Sequence, residues 1–264
     1  MEQKPIITFL SDFGTQDGYV GAVKGVIKSF DKKIEVIDIT HDIESFNIKQ
    51  AAFTILNYYN QYPKGTIHLA VVDPGVGSER NVLILHTKDY RFVGPDNGIF
   101  QYVIQQENHK IYRVDPISVY RNERGTTFHA RDIFAPISAK LALGKRAKEL
   151  GDRIDDFKFD DRHKHPISEE SSAYEIESIM PDKFGNIIFD YRKTSMTAET
   201  NHKIKMIRFK NFESNKIYDY YSQVRKGIPL FLWNSLGFLE LAVCEGSAKD
   251  YFSYKETDKA IMFF

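Results

Sequence analysis

Apolar residues in the first half of the chain fall into two alternating kinds of run. Short, nearly continuous stretches rich in β-branched residues cover residues 5–10, 34–39 and 66–72. Between them lie longer segments, 18–30 and 48–62, whose apolar positions recur with helical spacing. This is a βαβαβ rhythm. Runs such as IITFL and IHLAVV are apolar on both alternating faces, as strands are when helices cover both sides of a mainly parallel sheet. Further strands are predicted over 82–86 and 90–93, and helices over 99–106 and 131–143.

From residue 151 the pattern breaks into GDRIDDFKFDDRHKHPISEE, which is charged, poor in aliphatics and closed by a proline-containing turn. Beyond it come short alternating strands, predicted at 173–179, 186–189, 202–209, 229–233 and 238–243, separated by turn residues. The expected organisation is an N-terminal α/β/α domain over 1–150 and a linker over 151–171. A smaller C-terminal antiparallel β domain, barrel-like, follows over 172–264.

Composition narrows the function classes. The 264 residues are 42% hydrophobic and 27% charged, so the chain can bury a core. Lys+Arg and Asp+Glu number 36 each, and no basic run is long enough to track a phosphate backbone, which argues against nucleic acid. No apolar stretch approaches the roughly 20 residues of a membrane span. The one cysteine, Cys244, has no internal disulfide partner, and MEQKPIITFLSDFG lacks a signal-peptide h-region, so a reducing cytoplasm is expected.

In open α/β sheets ligands bind beyond the carboxyl ends of the strands. Those ends are acidic here: Ser11-Asp12-Phe13-Gly14, Asp38 followed by His41, Asp73-Pro74-Gly75, and Asp96-Asn97-Gly98. Each could be only a turn or an N-cap, but several at one crevice point to a site. VVDPGVGSER lacks the Lys-Ser/Thr ending of a phosphate loop, and SDFGTQDG lacks the spaced glycines of a dinucleotide fingerprint. Carboxylates suit a ligand with ribose hydroxyls and a cationic centre. In TTFHARDIFAP, His129 precedes a predicted helix, and with Asp73 and Arg80 it could orient a water and manage its proton. His163 and His165 lie in the charged linker without further ligands, so no metal is assigned. Two rival readings stay open: a metal-dependent phosphoesterase on Asp12, Asp38, Asp73 and Asp96, and a non-catalytic adenosine-binding protein.

Taken together, SDFG with DGYVGAVKG, VVDPGVG, GPDNG, FHARDIFAP, KFGN and NSLGFLELA, in this order from Asp12 to Ala242, resemble the S-adenosylmethionine hydroxide adenosyltransferase family, whose halide-using relatives are fluorinase and chlorinase. The resemblance implies water attack on the ribose 5′ carbon of S-adenosylmethionine, yielding adenosine and L-methionine, with no cofactor. It also implies a homotrimer whose active sites form between the N-terminal domain of one subunit and the C-terminal domain of the next. By the same resemblance, Asp12 holds the ribose hydroxyls, Asp17 and Tyr19 lie near methionine, Phe46 lines the ribose pocket and Asn97 belongs to the substrate-binding set. Asp182, Phe184 and Asn186 supply a carboxylate for the methionine end, an aromatic wall and an amide for adenine; Ser235 reaches the methionine carboxylate. FGN and NSLG would also serve as ordinary hairpin turns. Asp73, Arg80 and His129 match the hydrolase branch; halogenases carry tyrosine at the Asp73 position, and fluorinase does so at the His129 position. Chlorination is the alternative within the family. Ala130 replaces a common glycine and Cys244 a common asparagine, so no adenine contact is expected from Cys244.

Overall fold

A computed structural model describes residues 4–119, 127–157, 165–166, 173–195 and 204–264. The chain divides into two compact units, Met1–Phe159 and Asp160–Phe264. The first contains β1 (Ile6–Ser11), α1 (Tyr19–Phe30), β2 (Glu35–Thr40), α2 (Ile48–Tyr58), β3 (Ile67–Val71), β4 (Val82–Thr87), β5 (Arg91–Pro95), α3 (Gln101–Gln106), β6 (His109–Val114), α4 (Pro116–Val119), α5 (Ala135–Ala142) and β7 (Asp152–Ile154).

Its seven strands are ordered β2-β1-β3-β5-β4-β6-β7. The β2-β1-β3-β5 half is parallel and the β5-β4-β6-β7 half antiparallel. The change of direction follows from connection length. Residues 88–90 are too few for a crossover, so β4 and β5 close as a hairpin in which Tyr90 donates its N–H to Thr87 Oγ1 at 3.1 Å. All five residues of β3 are buried, as expected for a strand covered on both faces. On one face α1 packs Val20, Val23 and Ile27, and α5 packs Ile137 and Leu141, with Ile7, Phe9, Leu69 and Val71 in the same core. The helix α2 is capped by the Asn47 side chain, which accepts the Gln50 N–H at 2.9 Å. It buries Ala51, Ala52, Ile55 and Leu56.

The sequence DRI at 152–154, inside the charged stretch read as linker, forms β7 at the edge of this sheet, pairing with β6. Three residues carry too little periodicity to announce a strand; the partner supplies it. The His163–His165 pair falls partly outside the described residues, since His163 is not among them.

The second unit contains β8 (His165–Pro166), β9 (Ala173–Pro181), β10 (Ile187–Arg192), β11 (Met206–Phe209), β12 (Phe212–Ser214), β13 (Ile217–Tyr218), β14 (Pro229–Trp233), β15 (Phe238–Val243), α6 (Ala248–Tyr251) and β16 (Lys259–Phe263). Its sheet runs β12-β11-β16-β9-β10-β15-β14-β13, with β8 beside β9. Every pair is antiparallel except β13 with β14. Phe189, Phe209, Phe231, Leu239 and Leu241 fill its core. Cys244, just past β15, is buried. Among the described residues, no helix is long and apolar enough to cross a membrane.

Candidate active site

A cleft of about 310 Å³ opens in the first unit at the carboxyl ends of β1 and β3, where an α/β sheet presents its ligand site. Asp12, Tyr19, Phe46, Asp73 and His129 all line it, as do Phe13, Ser45, Val76, Phe128 and Ala130. Five of the residues singled out in the sequence thus share one concavity.

The loop after β3 explains how Asp73 meets Arg80. In DPGVGSER, Val76 N–H donates to Asp73 O at 3.3 Å and Ser78 N–H to Gly75 O at 3.1 Å. Gly77 adopts φ +81°, a conformation that a side chain would strain. The chain folds back, and Arg80 Nε donates to Asp73 Oδ1 at 2.7 Å and Oδ2 at 2.8 Å, with Nη2 completing the grip on Oδ2. The two side chains are 4% and 5% exposed, so this ion pair is held out of water. The Arg80 guanidinium also lies 5.3 Å from the Phe134 ring centroid. Arg80 Nη2 stands 3.0 Å from His129 Nδ1.

That last contact fixes the histidine. A guanidinium has only donors, so His129 Nδ1 is the acceptor, and the neutral ring carries its proton on Nε2. Arg80 is the buried spacer, while Asp73 and His129 are the faces that the cleft sees.

His129 is delivered by an irregular helix. A π-helical turn, Ala130–Phe134, runs directly into α5. Pro136 at the start of α5 has no N–H for the carbonyl four residues earlier, and the chain widens at that point. Such π segments are frequent at functional sites. Ala130 is 2% exposed and lines the cleft, so the methyl that distinguishes it from glycine stands beside His129.

On the opposite wall Asp12 Oδ2 accepts the Phe46 N–H at 3.0 Å. Phe46 has φ +69° and a 68% exposed ring, a strained backbone carrying an apolar side chain in the open. Phe13, Tyr19 and Phe128 form an edge-to-face trio with centroids 5.2 to 6.2 Å apart. Sequence reasoning missed Phe13 and Phe128, although each stands next to a polar residue already singled out, Asp12 and His129. An apolar residue directly flanking a strand-tip acid or base is the signal that could have found them.

Other predicted residues sit elsewhere. Asp17 is exposed, two residues ahead of α1. Asn97 donates from Nδ2 to Val72 O at 2.9 Å and accepts the Ile99 N–H at 3.2 Å, so its amide ties the loop after β5 to the end of β3. In the second unit, Asp182 Oδ1 accepts the N–H groups of Phe184 and Asn186, both at 2.9 Å, and its Oδ2 accepts Asn186 Nδ2 at 3.0 Å. This turn joins β9 to β10 and holds Phe184 out at 76% exposure. Ser235 is exposed in the equivalent turn between β14 and β15, where Asn234 Oδ1 accepts from Leu236 and Phe238 at 3.0 Å each. Asp182 and Asn234 thus build the same turn, each closed by a glycine at positive φ, Gly185 at +84° and Gly237 at +77°.

The acidic tips do not gather for a metal. Asp38 faces Lys24 and His41, Asp73 faces Arg80, and Asp96 accepts from Asn81 at 2.8 Å. Among the described residues, no group of three or more His, Cys, Asp or Glu is placed to hold one.

Comparison with known proteins bears on the chain as a whole. Residues 7–151 match the SAM hydroxide adenosyltransferase N-terminal domain and residues 177–261 its C-terminal domain. The chain is 36% identical over 250 residues to the (R)-S-adenosyl-L-methionine hydrolase of Methanocaldococcus jannaschii, covering 90% of this chain and 88% of that one. It is 30% identical to the enzyme of the same name from Thermus thermophilus, covering 95% and 96%. It is 25% identical to the fluorinase of Actinopolyspora mzabensis, covering 96% and 95%. A crystal structure of an uncharacterized conserved protein from Thermotoga maritima superposes with TM-score 0.83 at 31% identity, covering 98% of this chain and all of that one. With both domains matched in order and the strand-tip cleft in place, the chain belongs to the SAM hydroxide adenosyltransferase family.

Proposed function

We propose that the chain hydrolyses S-adenosyl-L-methionine to adenosine and L-methionine. The observation that carries the reading is the Asp73–Arg80–His129 array in the cleft wall. Water attacks the ribose 5′ carbon in line with the sulfonium. The new C–O bond forms as the C5′–S bond breaks, both electrons of that bond pass to sulfur, and methionine leaves as a neutral thioether. The attacking oxygen sheds one proton. With Nδ1 occupied by Arg80, His129 offers its Nε2–H to orient the water, and the Asp73 carboxylate is the group suited to accept the proton. Arg80 holds both in place. Asp12 takes the ribose hydroxyls, with Phe46 and the aromatic trio as apolar walls.

The names of the relatives specify the R configuration at sulfur, and the same epimer is proposed as the substrate here. Asp17, Tyr19, Asn97, Asp182, Phe184, Asn186 and Ser235 are proposed as further substrate-binding residues. The proposal extends to a cytoplasmic homotrimer in which the second unit of a neighbouring copy supplies the last four, and to a reaction that needs no cofactor. Support for the assembly comes from the resemblance and from the exposed ring of Phe184; sedimentation equilibrium at trimer mass tests it.

The deciding experiment incubates the protein with each sulfonium epimer, with and without chloride and with chelator, and identifies the nucleoside. Adenosine from the R epimer, unaffected by chloride and chelator, is the expected result. A 5′-chloronucleoside would instead place the chain with the halogenases, binding without turnover would make it an adenosine-binding protein, and no turnover here together with chelator-sensitive cleavage of an aryl phosphate ester would revive the metal-dependent phosphoesterase.

A further inference from the structure

A second polar array lies behind the opposite wall of the cleft. Ser11 Oγ is 2.7 Å from His41 Nδ1, and His41 Nε2 is 3.1 Å from Asp38 Oδ1, close enough for charge pairing but off the axis of a hydrogen bond. Asp38 is closed from outside by Lys24. Burial raises the affinity of Asp38 for its proton, but Lys24 and His41 together outweigh it and hold the carboxyl below its ordinary value. The carboxylate only accepts, so the imidazole proton sits on Nε2 and Nδ1 receives the Ser11 hydroxyl. Ser11 Oγ in turn accepts the Phe13 N–H at 3.4 Å. The hydrogen bonds run one way, from the backbone of Phe13 through Ser11 to His41, whose Nε2 faces Asp38 by charge alone.

Serine, histidine and aspartate in sequence resemble a hydrolase triad, but Ser11 is 0% exposed and His41 4% exposed. No substrate carbon can reach that hydroxyl. What the array does touch is the backbone on both sides of Asp12. Ser11 precedes it, Phe13 follows it, and Gly14 N–H donates to His41 O at 2.8 Å. The His41 ring is further wedged edge-on against Phe9, with centroids 4.7 Å apart. The same 41–46 segment ends at Phe46, whose N–H holds Asp12 Oδ2. His41 is therefore the post to which the Asp12 loop is tied by ring and by carbonyl.

We propose that His41, with Ser11 and Asp38, is a positioning residue that sets the Asp12 carboxylate for the two ribose hydroxyls. The inference rests on the ribose role proposed for Asp12. It makes affinity for the ribose diol depend on a side chain that never meets the substrate.

The test compares S-adenosylmethionine with its 2′,3′-dideoxy analogue, and adenosine with 2′,3′-dideoxyadenosine in calorimetric binding, on wild type, His41→Ala and His41→Asn. Loss of a hydrogen-bonded charged contact corresponds to about ten- to a hundred-fold. His41→Ala is expected to raise KM for S-adenosylmethionine by that factor with kcat changed less than about threefold, as for an interaction equal in ground and transition states. It should leave the dideoxy compounds, which have no diol to lose, at wild-type values. His41→Asn, which restores an acceptor for Ser11, should recover much of the loss. If His41→Ala weakens diol and dideoxy compounds equally, or falls in kcat alone, the positioning role is wrong even though the wild type makes adenosine. Wild type that makes no adenosine and binds the two nucleosides alike overturns both this inference and the ribose role of Asp12.

Discussion

At His129 the direction of one hydrogen bond decides the division of labour. Because Arg80 can only donate, the imidazole accepts at Nδ1 and presents a donor at Nε2. Glutamine can do both jobs, accepting with its carbonyl and donating with its amide, but cannot take a proton. His129→Gln is therefore expected to keep at least about tenfold more kcat than His129→Ala, whereas Asp73→Asn loses about 10²- to 10⁴-fold. Equal rates for the Gln and Ala variants, with a weak effect of Asp73→Asn, would move the base to His129. Arg80 has a structural consequence as well. Removing one partner of a buried ion pair costs about 3 to 5 kcal/mol, so Arg80→Met should lower the denaturation midpoint as well as activity. The convergence of Asp73, Arg80 and His129 comes from three different elements, an acid at the end of β3, a cation on the loop that folds back over it and an imidazole leading a helix, and only the first of these places is set by the strand pattern. The internal use of Asn97 was not legible, since a loop clamp and a ligand contact call for the same side chain.

Elements became legible in proportion to how much of their pattern they carry themselves. The strands at 229–233 and 238–243 were predicted at the residues where β14 and β15 lie. The predicted helix at 131–143 is in fact a π turn followed by α5, because one proline midway through the pattern, Pro136, changes the hydrogen-bond ladder without changing the apolar period. The short strands β7, β12 and β13 owe their existence to neighbours, and none carries a period of its own. The antiparallel placement of β4 and β5 came from a three-residue link, not from hydropathy. Close approach between elements is also invisible in a pattern. Gly94 in β5 has no room for a Cβ, which would stand 2.5 Å from Ala70 O at the end of β3 and 2.9 Å from Phe100 Cζ. Gly94→Ala should push β5 from β3, destabilise the first unit by about 2 kcal/mol or more and loosen the Asp73 loop that follows β3. In the second unit a Cβ at Gly185 would meet Ser247 Oγ at 2.1 Å while the backbone sits at φ +84°. Gly185→Ala should destabilise the turn that carries Asp182 and Phe184, and thermal melts of both variants measure these costs.

At the scale of the whole chain, each of the two units holds a buried ionisable group that couples its folding to pH, His68 in the first and Glu240 in the second. In the first unit His68 is fully buried among Tyr58, Tyr59, Tyr62, Tyr90 and Phe92, and Thr8 Oγ1 lies 2.9 Å from its Nδ1. Burial depresses its pKa from 6.5 to about 3. The unfolded chain binds that proton first, so the contribution of His68 is present above pH 6.5 and is lost as pH falls toward 3. In the second unit Glu240 on β15 is 3% exposed and accepts the Tyr221 hydroxyl at 2.8 Å. Burial, with Asp182 nearby, raises its pKa from 4.5 to about 7 against the opposing hydrogen bonds of Tyr221 and Asn234. Here the native state keeps its proton longer, so stability is full below pH 4.5 and is lost as pH rises through 7. Each shift corresponds to a few kcal/mol at about 1.4 kcal/mol per pH unit, enough to move a melting transition by several degrees. The two units are expected to respond in opposite directions, the first weakening on the acid side and the second on the neutral side. Calorimetry between pH 4 and 8 separates them. Glu240→Gln, which still accepts from Tyr221, should match wild type near pH 4.5 and exceed it increasingly up to pH 7, while His68→Gln should flatten the acid limb alone. Parallel curves for wild type and Glu240→Gln would show that the carboxyl titrates in the folded protein as it does in the unfolded chain, and would overturn this assignment.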